Sequence, residues 1–207
     1  KTSVVISFGH GVAGIIGLMD EIKPDSKAAL HEIRKMGVVP IILTGDNELA
    51  ADYTAKLVNV DKVYSGLLPE DKARLIKEFT SAYTGVAMVG DGINDAPALA
   101  LSTVSIAMGA AGSDTAIETA NIALMNDKLS LIPFLIRLSK RTVSTIQRNT
   151  AFAILIKVIF VLLAIFGFSN LVLAITADVG VTLVVILLSL RLLQFEKPSK
   201  PKRSSAV

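Results

Sequence analysis

The 207-residue chain has no cysteine and no tryptophan, and aromatic side chains make up only 5% of it. Without cysteine it has no disulfide scaffold, and no thiolate metal site can form within these residues. Charged residues are also few, at 19%, against 52% hydrophobic and a mean hydropathy of +0.59. That excludes a disordered chain, which needs low hydrophobicity. An excess of one charge is missing as well. The formal net charge of +3 is carried by the tail, where Lys197, Lys200, Lys202 and Arg203 face a single acid, Glu196. The rest of the chain is neutral overall. This excludes the basic face of a nucleic-acid-binding domain, so no nucleic acid is expected as a partner. The length fits one or two domains. The opening Lys-Thr-Ser-Val-Val-Ile has neither a Met nor a signal-peptide pattern and reads as the middle of a strand. A piece of a longer polypeptide is expected.

The hydrophobic residues are concentrated. Thr150 to Leu190 carries two charged side chains, Lys157 and Asp178. A bilayer crossing takes about 20 apolar residues, so this stretch is long enough for two. Gly167-Phe168-Ser169-Asn170 interrupts it, which predicts spans over Thr150–Phe168 and Leu171–Leu193. Before the first span, Leu129 to Asn149 reads as a basic amphipathic helix with Arg137, Lys140, Arg141 and Arg148. The loop between the spans is uncharged, and Arg191 and the basic tail follow the second. By the positive-inside rule both ends face the cytosol. The expected setting is an integral membrane protein of the plasma (inner) membrane, with the lipid bilayer as partner.

The remainder alternates strands and helices. Thr2–Phe8 and Val12–Leu18 read as a hairpin around Gly9-His10-Gly11, with His10 as a turn residue. Strands are expected over Val38–Leu43, Lys62–Tyr64, Val86–Val89, Val104–Met108 and Ile122–Leu124. Helices are expected over Lys27–Met36, Glu48–Val58, Asp71–Phe79, Ala96–Leu101 and Asp114–Ala120. This alternation implies an α/β fold with a doubly wound parallel sheet.

In such sheets, ligands bind beyond the carboxyl ends of the strands. Three loops there are unusually rich in Gly, Asp, Asn and Pro. They are Thr44-Gly45-Asp46-Asn47, Leu68-Pro69-Glu70-Asp71-Lys72 and Gly90-Asp91-Gly92-Ile93-Asn94-Asp95. Asp91 and Asp95 offer oxygen ligands to Mg²⁺. Thr44 offers a hydroxyl and nearby amides to a phosphate oxygen, and Lys72 a point positive charge. Turn-building alone explains any one loop. It does not explain the run Gly-Asp-Gly-Ile-Asn-Asp-Ala-Pro. The chemistry suggested is phosphoryl transfer with a hard cation.

In the membrane stretch, Lys157 lies nine residues past Arg148 and Asp178 eight past Asn170. At about 1.5 Å per residue both are roughly 12–13 Å deep. Both fall near the middle of a core about 30 Å thick. Charges there are costly and are paired or functional. They form either a structural Lys–Asp pair or an ion site with a built-in counter-charge.

Thr44-Gly45-Asp46-Asn47, Pro69-Glu70-Asp71-Lys72 and the run Val89 to Leu99 resemble the signatures of P-type ATPases, whose phosphorylation domain is similar in fold to haloacid dehalogenases. The resemblance spans roughly Gly17 to Asp127 and continues through the membrane stretch to Leu193. It implies a catalytic group of Thr44, Gly45, Asp46, Lys72, Asn94 and Asp95. Thr44 binds the phosphate of an aspartyl-phosphate, Lys72 neutralises it, and Asp91 ligates Mg²⁺ together with Asp95. Asn94 and Asp95 hold the phosphate and water network, and Asp46 faces the nucleotide. Asp20, with Pro24, matches the hinge into the domain. Implied boundaries are 1–18 for the end of a nucleotide-binding domain and 19–127 for the phosphorylation domain. They continue with 128–149 for a linking helix, 150–193 for the membrane hairpin and 194–207 for the cytosolic tail. The family's nucleophile motif, Asp-Lys-Thr-Gly-Thr, does not occur in these residues. The chain alone is not expected to hydrolyse ATP, and the part of the polypeptide carrying that motif is an implied partner.

Ile156-Lys157-Val158-Ile159-Phe160, Ala177-Asp178-Val179-Gly180-Val181-Thr182 and Leu190-Arg191-Leu192-Leu193 are similar to the last two helices of the zinc/cadmium/lead subgroup of heavy-metal ATPases. That implies Asp178 as a ligand of transported Zn²⁺, Cd²⁺ or Pb²⁺ and Lys157 as its counter-charge. The subgroup's Cys-Pro-Cys ligands belong to an earlier helix, so Asp178 supplies only part of a site. The chain has Leu188 where that subgroup carries Asn. A Cu⁺, Co²⁺ or K⁺ pump and a membrane-tethered phosphatase of haloacid-dehalogenase type are the alternatives. Copper pumps carry Met and Ser in the last helix, cobalt-type pumps carry His-Glu-Gly there, and potassium-pump relatives read Thr-Gly-Asp-Gly-Thr-Asn-Asp where this chain has Val89 and Ile93.

Overall fold

The computed structural model describes residues 2–9, 11–18, 21–91, 94–109, 118–168 and 170–195. His10, Asp20, Gly92, Ile93, most of the helix expected over Asp114–Ala120 and the basic tail lie outside them. The chain divides into two compact units, Lys1–Leu131 and Ile132–Val207.

In the first unit, β1 (Thr2–Phe8) and β2 (Gly11–Leu18) form the expected antiparallel hairpin, with Thr2 opposite Leu18. Helix α1 (Ser26–Lys35) buries Ala29 and Ile33, one turn apart on one face. It ends at Gly37, whose φ of 83° suits glycine. The Val38 amide then donates back to the Ile33 carbonyl, and Pro40 has no amide to donate. Strand β3 is therefore only Ile41–Leu43, three residues shorter than its apolar run predicts.

Strand β3 pairs in parallel with β4 (Lys62–Tyr64) through α2 (Glu48–Val58). The Asn47 side chain caps α2, and Asn59 closes it in the left-handed conformation. Helix α3 (Pro69–Ala82) starts two residues earlier than expected. Pro69 suits the first helical position, and Asp71 accepts the Leu68 amide at 3.2 Å. Strands β5 (Ala87–Gly90), β6 (Val104–Met108) and β7 (Ile122–Leu124) form a second parallel ladder in that order, with α4 (Ala96–Leu101) between β5 and β6. A polar clasp joins β6 to β7. The Ser105 amide and hydroxyl both donate to Asn121 Oδ1, and the Asn121 amide donates to Ser105 Oγ.

One cluster ties these parts together. Ile76 of α3, Met88 of β5 and Ala98 and Leu99 of α4 are buried, with Leu43, Phe79 and Val86 packed against them. Among the described residues the two parallel ladders share no strand pairing. The expected parallel sheet is thus present in two pieces.

In the second unit, α5 runs unbroken from Leu131 to Ile165, about 52 Å at 1.5 Å per residue. The amphipathic helix and first span expected as separate elements are one helix. No Pro or Gly lies between Phe134 and Ile165 to break it. It stops before Gly167, which has a φ of 75°. Asn170 then caps α6 (Leu171–Leu190) by accepting the Leu173 amide at 2.9 Å, and a short 3-10 turn, Arg191–Gln194, follows. Both helices are long and apolar enough to cross a bilayer. Their aliphatic side chains point outward rather than into a core, as at Ile165, Val172 and Leu187.

Candidate active site

The core cluster explains why three distant loops converge. Thr44 follows Leu43. Lys72 lies one helical turn before Ile76 on the same face of α3. Asp95 lies three and four residues before Ala98 and Leu99, and Asp91 two beyond Val89 at the end of β5. Burial of the apolar partners therefore fixes the polar ones.

The first loop is held closed by its own groups. Thr44 Oγ1 donates to Asp46 Oδ2 at 3.0 Å and accepts the Asp46 amide at 3.1 Å. The Leu67 amide donates to the Thr44 carbonyl, and the Gly66 amide to that of Asp46. A Cβ on Gly45 would lie 3.3 Å from the Leu67 carbonyl oxygen. The loop is thus latched to the segment that opens α3.

At the other loops, Lys72 Nζ donates to Asp95 Oδ1 at 2.8 Å, with both side chains about 85% buried. The second oxygen of Asp95 abuts the backbone at Gly90. A Cβ there would fall 2.5 Å from Oδ2 and 2.7 Å from Asp95 Cβ. Gly90 is a positional requirement that spacing alone did not single out, although a glycine ending a buried strand is the signal for it. Asp91 and Asn94 are exposed on either side of Gly92-Ile93. Among the described residues no three His, Cys, Asp or Glu side chains gather into a cation cage. Mg²⁺ takes one or two carboxylates and completes its shell with water and phosphate oxygens. Asp91 lies exposed just past the end of β5, and Asp95 is engaged by Lys72.

Sequence reasoning also missed Asp25. Its Oδ2 accepts the Ser130 amide at 2.9 Å, tying the start of α1 to a segment 105 residues later. Lys23 pairs with Asp127 beside it. Burial raises the Asp25 pKa, but the Ser130 amide and hydroxyl, its own amide and the charge of Lys23 outweigh this and lower it below the ordinary value.

In the second unit, Lys157 Nζ and Asp178 Oδ1 meet at 3.3 Å across the two helices. The two predicted charges are thus brought together. Both side chains are more than half exposed on this helix pair.

Residues 2–102 match the model of the haloacid dehalogenase-like hydrolases. This part of the chain therefore has a haloacid dehalogenase-like fold, and two apolar helices follow it. The cadmium-transporting ATPase of Staphylococcus aureus is 48% identical over 195 residues, 94% of this chain and 27% of that protein. The zinc/cadmium/lead-transporting P-type ATPase of Escherichia coli (strain K12) is 39% identical over 194 residues, 94% of this chain and 26% of that protein. The crystal structure of a zinc-transporting PIB-type ATPase in its E2.Pi state matches with a TM-score of 0.83 at 39% identity. The match covers 92% of this chain and 31% of that one. Over more than nine-tenths of its length the chain is thus similar to heavy-metal-transporting P-type ATPases, and it spans about a quarter of the length of the curated relatives it matches.

Proposed function

We propose that this chain is the phosphoryl-handling and final membrane portion of an ATP-driven heavy-metal exporter that works through an aspartyl-phosphate. The observation that carries the reading is the Lys157–Asp178 pair, 3.3 Å apart on two apolar helices in the same chain as the phosphate loops. A membrane-tethered phosphatase has no use for charges at that depth, where an ionised side chain costs about 2.5–3.5 kcal/mol.

The nucleophilic Asp comes from the upstream polypeptide. Among the described residues the β3–β4 and β5–β6–β7 ladders pack through one core without pairing. A strand inserted between β3 and β5 would join them, and its carboxyl end would emerge beside Thr44 and Asp91. Thr44 then donates to a phosphoryl oxygen, with Asp46 at the nucleotide edge. Lys72, aimed by Asp95, stabilises the charge on that group, and Asn94 orders the water around it. Asp91 holds Mg²⁺, which when bound neutralises phosphoryl oxygens.

In the membrane, Asp178 binds the transported divalent ion, and Lys157 replaces the ion when the site empties. The pair is exposed on these two helices, so further helices of the whole protein must cover it. Soft Zn²⁺, Cd²⁺ or Pb²⁺ also takes thiolates from that missing part. The basic residues flanking both spans put both ends of this chain in the cytosol. The test is metal-stimulated ATPase of the full-length protein carrying Asp178→Ala. Loss of Zn²⁺ and Cd²⁺ stimulation is expected, and unchanged stimulation refutes the assignment.

A further inference from the structure

At the end of the α5–α6 pair away from the Gly167 turn, the two helices and the turn after α6 border a half-open cavity of about 670 Å³. That volume lies in the range of small-ligand sites. Its polar lining is Arg141, Thr145, Arg148 and Asn149 of α5 with Arg191 just past α6. The α5 residues recur at helical spacing and share one face. The floor is fixed. Thr145 and Asn149 are buried, and Asn149 Nδ2 donates to Ser189 Oγ at 3.0 Å across the pair. Phe134 and Phe195 meet as tilted rings with centroids 5.8 Å apart, a contact between the segment after α6 and α5.

Three guanidinium groups thus face one cavity, and among the described residues no acidic side chain lines it. From Leu131 to Phe195 the sequence contains a single acid, Asp178, and the next, Glu196, lies outside the described residues. Asp178 lies thirteen residues, about 20 Å of helix, from Arg191 and is already paired with Lys157. Arginine forks match phosphate oxygens in bidentate fashion. Arg148 and Arg191 bracket the charge-poor stretch Thr150–Leu190, at the level where headgroups lie. Phe152 adds an apolar wall.

We propose that this cavity binds the phosphate group of an anionic phospholipid, with the acyl chains lying along the exposed aliphatic flank of the helices. The inference rests on the membrane placement of α5 and α6 and not on metal transport, so its failure leaves that reading standing.

The test is native mass spectrometry of the whole chain in mild detergent, titrated with phosphatidylglycerol, phosphatidylcholine, glycerol phosphate or inorganic phosphate. Saturable retention of phosphatidylglycerol over phosphatidylcholine is expected, weakened about fivefold by each of Arg141→Gln, Arg148→Gln and Arg191→Gln. Lys140→Gln removes the same charge outside the cavity and should leave retention unchanged. Arg148→Lys guards against misfolding, since it keeps the charge, loses the fork and should bind between wild type and Arg148→Gln. Equal retention of the two lipids overturns the proposal, as does equal loss with Lys140→Gln. Displacement of the lipid by millimolar inorganic phosphate or glycerol phosphate overturns the lipid as the source. Retention unaffected by any arginine change assigns the cavity to another partner, such as an acidic segment of the upstream polypeptide.

Discussion

Lys72 and Asp95, 23 residues apart in sequence, meet at 2.8 Å with little of either side chain open to solvent. The contact joins the first turn of α3 to the residue that opens α4, and the core cluster beneath holds both elements. Removing one partner leaves the other charge buried and unpaired. Lys72→Met and Asp95→Leu are each expected to lower stability by about 2–4 kcal/mol, and the double variant by less than the sum. Thermal unfolding of the three variants, followed by circular dichroism in one detergent, checks this. Additive losses would mean that the pair contributes no coupling.

Gly90→Ala tests the same contact from the backbone side. The new Cβ would lie 2.5–3.0 Å from three Asp95 atoms, so Asp95 must move away from Lys72. A loss of about 1–3 kcal/mol is expected, as for other overpacked sites. It should largely vanish in an Asp95→Ala background, where most of the obstructing atoms are gone. Gly85→Ala, with nothing within 4 Å of the new carbon, is the control. Its effect should stay within about 0.5 kcal/mol.

These two cases mark where the sequence was readable. The alternation of β-branched runs with 3.6-period segments gave the strand and helix order, and the loop composition gave Thr44, Lys72, Asp91 and Asp95. Their polarity is local information. Gly90 could be read only as part of a motif, because its requirement comes from a side chain five residues later that folds back on it. The separation of β3–β4 from β5–β6–β7 was not legible either, since pairing is non-local and the run at Val38 reads as strand until Pro40 intervenes. In the membrane stretch, the turn at Gly167 was explicit and the single long α5 was not. Its amphipathic and apolar parts differ in composition, but the backbone hydrogen bonding is continuous through both.

Asp25 gives the first unit an acid-sensitive tie. Its carboxyl is held below the ordinary range, near 3.9 in an unfolded chain. A depressed folded-state pKa contributes stability above the unfolded value and loses it as the pH falls through the folded one. Asp25→Asn should therefore be less stable than wild type above about pH 4, and the two should converge in more acidic solution. Denaturant midpoints measured from pH 7 down to pH 2 check the sign. A variant whose gap to wild type widens on acidification would contradict it. Ser130→Pro, which removes the donated amide, should reproduce the loss at pH 7.

The Lys157–Asp178 pair separates a structural from a transport role within one set of variants. Asp178→Ala strands an ammonium among aliphatic side chains, and Lys157→Met strands a carboxylate. Each single change should destabilise the helix pair, while the double variant recovers part of the loss. The coupling expected for a polar contact between membrane helices is about 1 kcal/mol. Unfolding in lipid bicelles measures that coupling and needs no metal. Zn²⁺ or Cd²⁺ is then added to the full-length protein. A purely structural pair predicts that the double variant, being nearly as stable as wild type, keeps its metal-stimulated ATPase. A metal-binding Asp178 predicts that the double variant folds and remains unresponsive to both ions, because restored packing cannot replace a ligand. Lys157→Met alone retains the carboxylate. It should still respond to metal while releasing the ion more slowly, since no ammonium competes for Asp178.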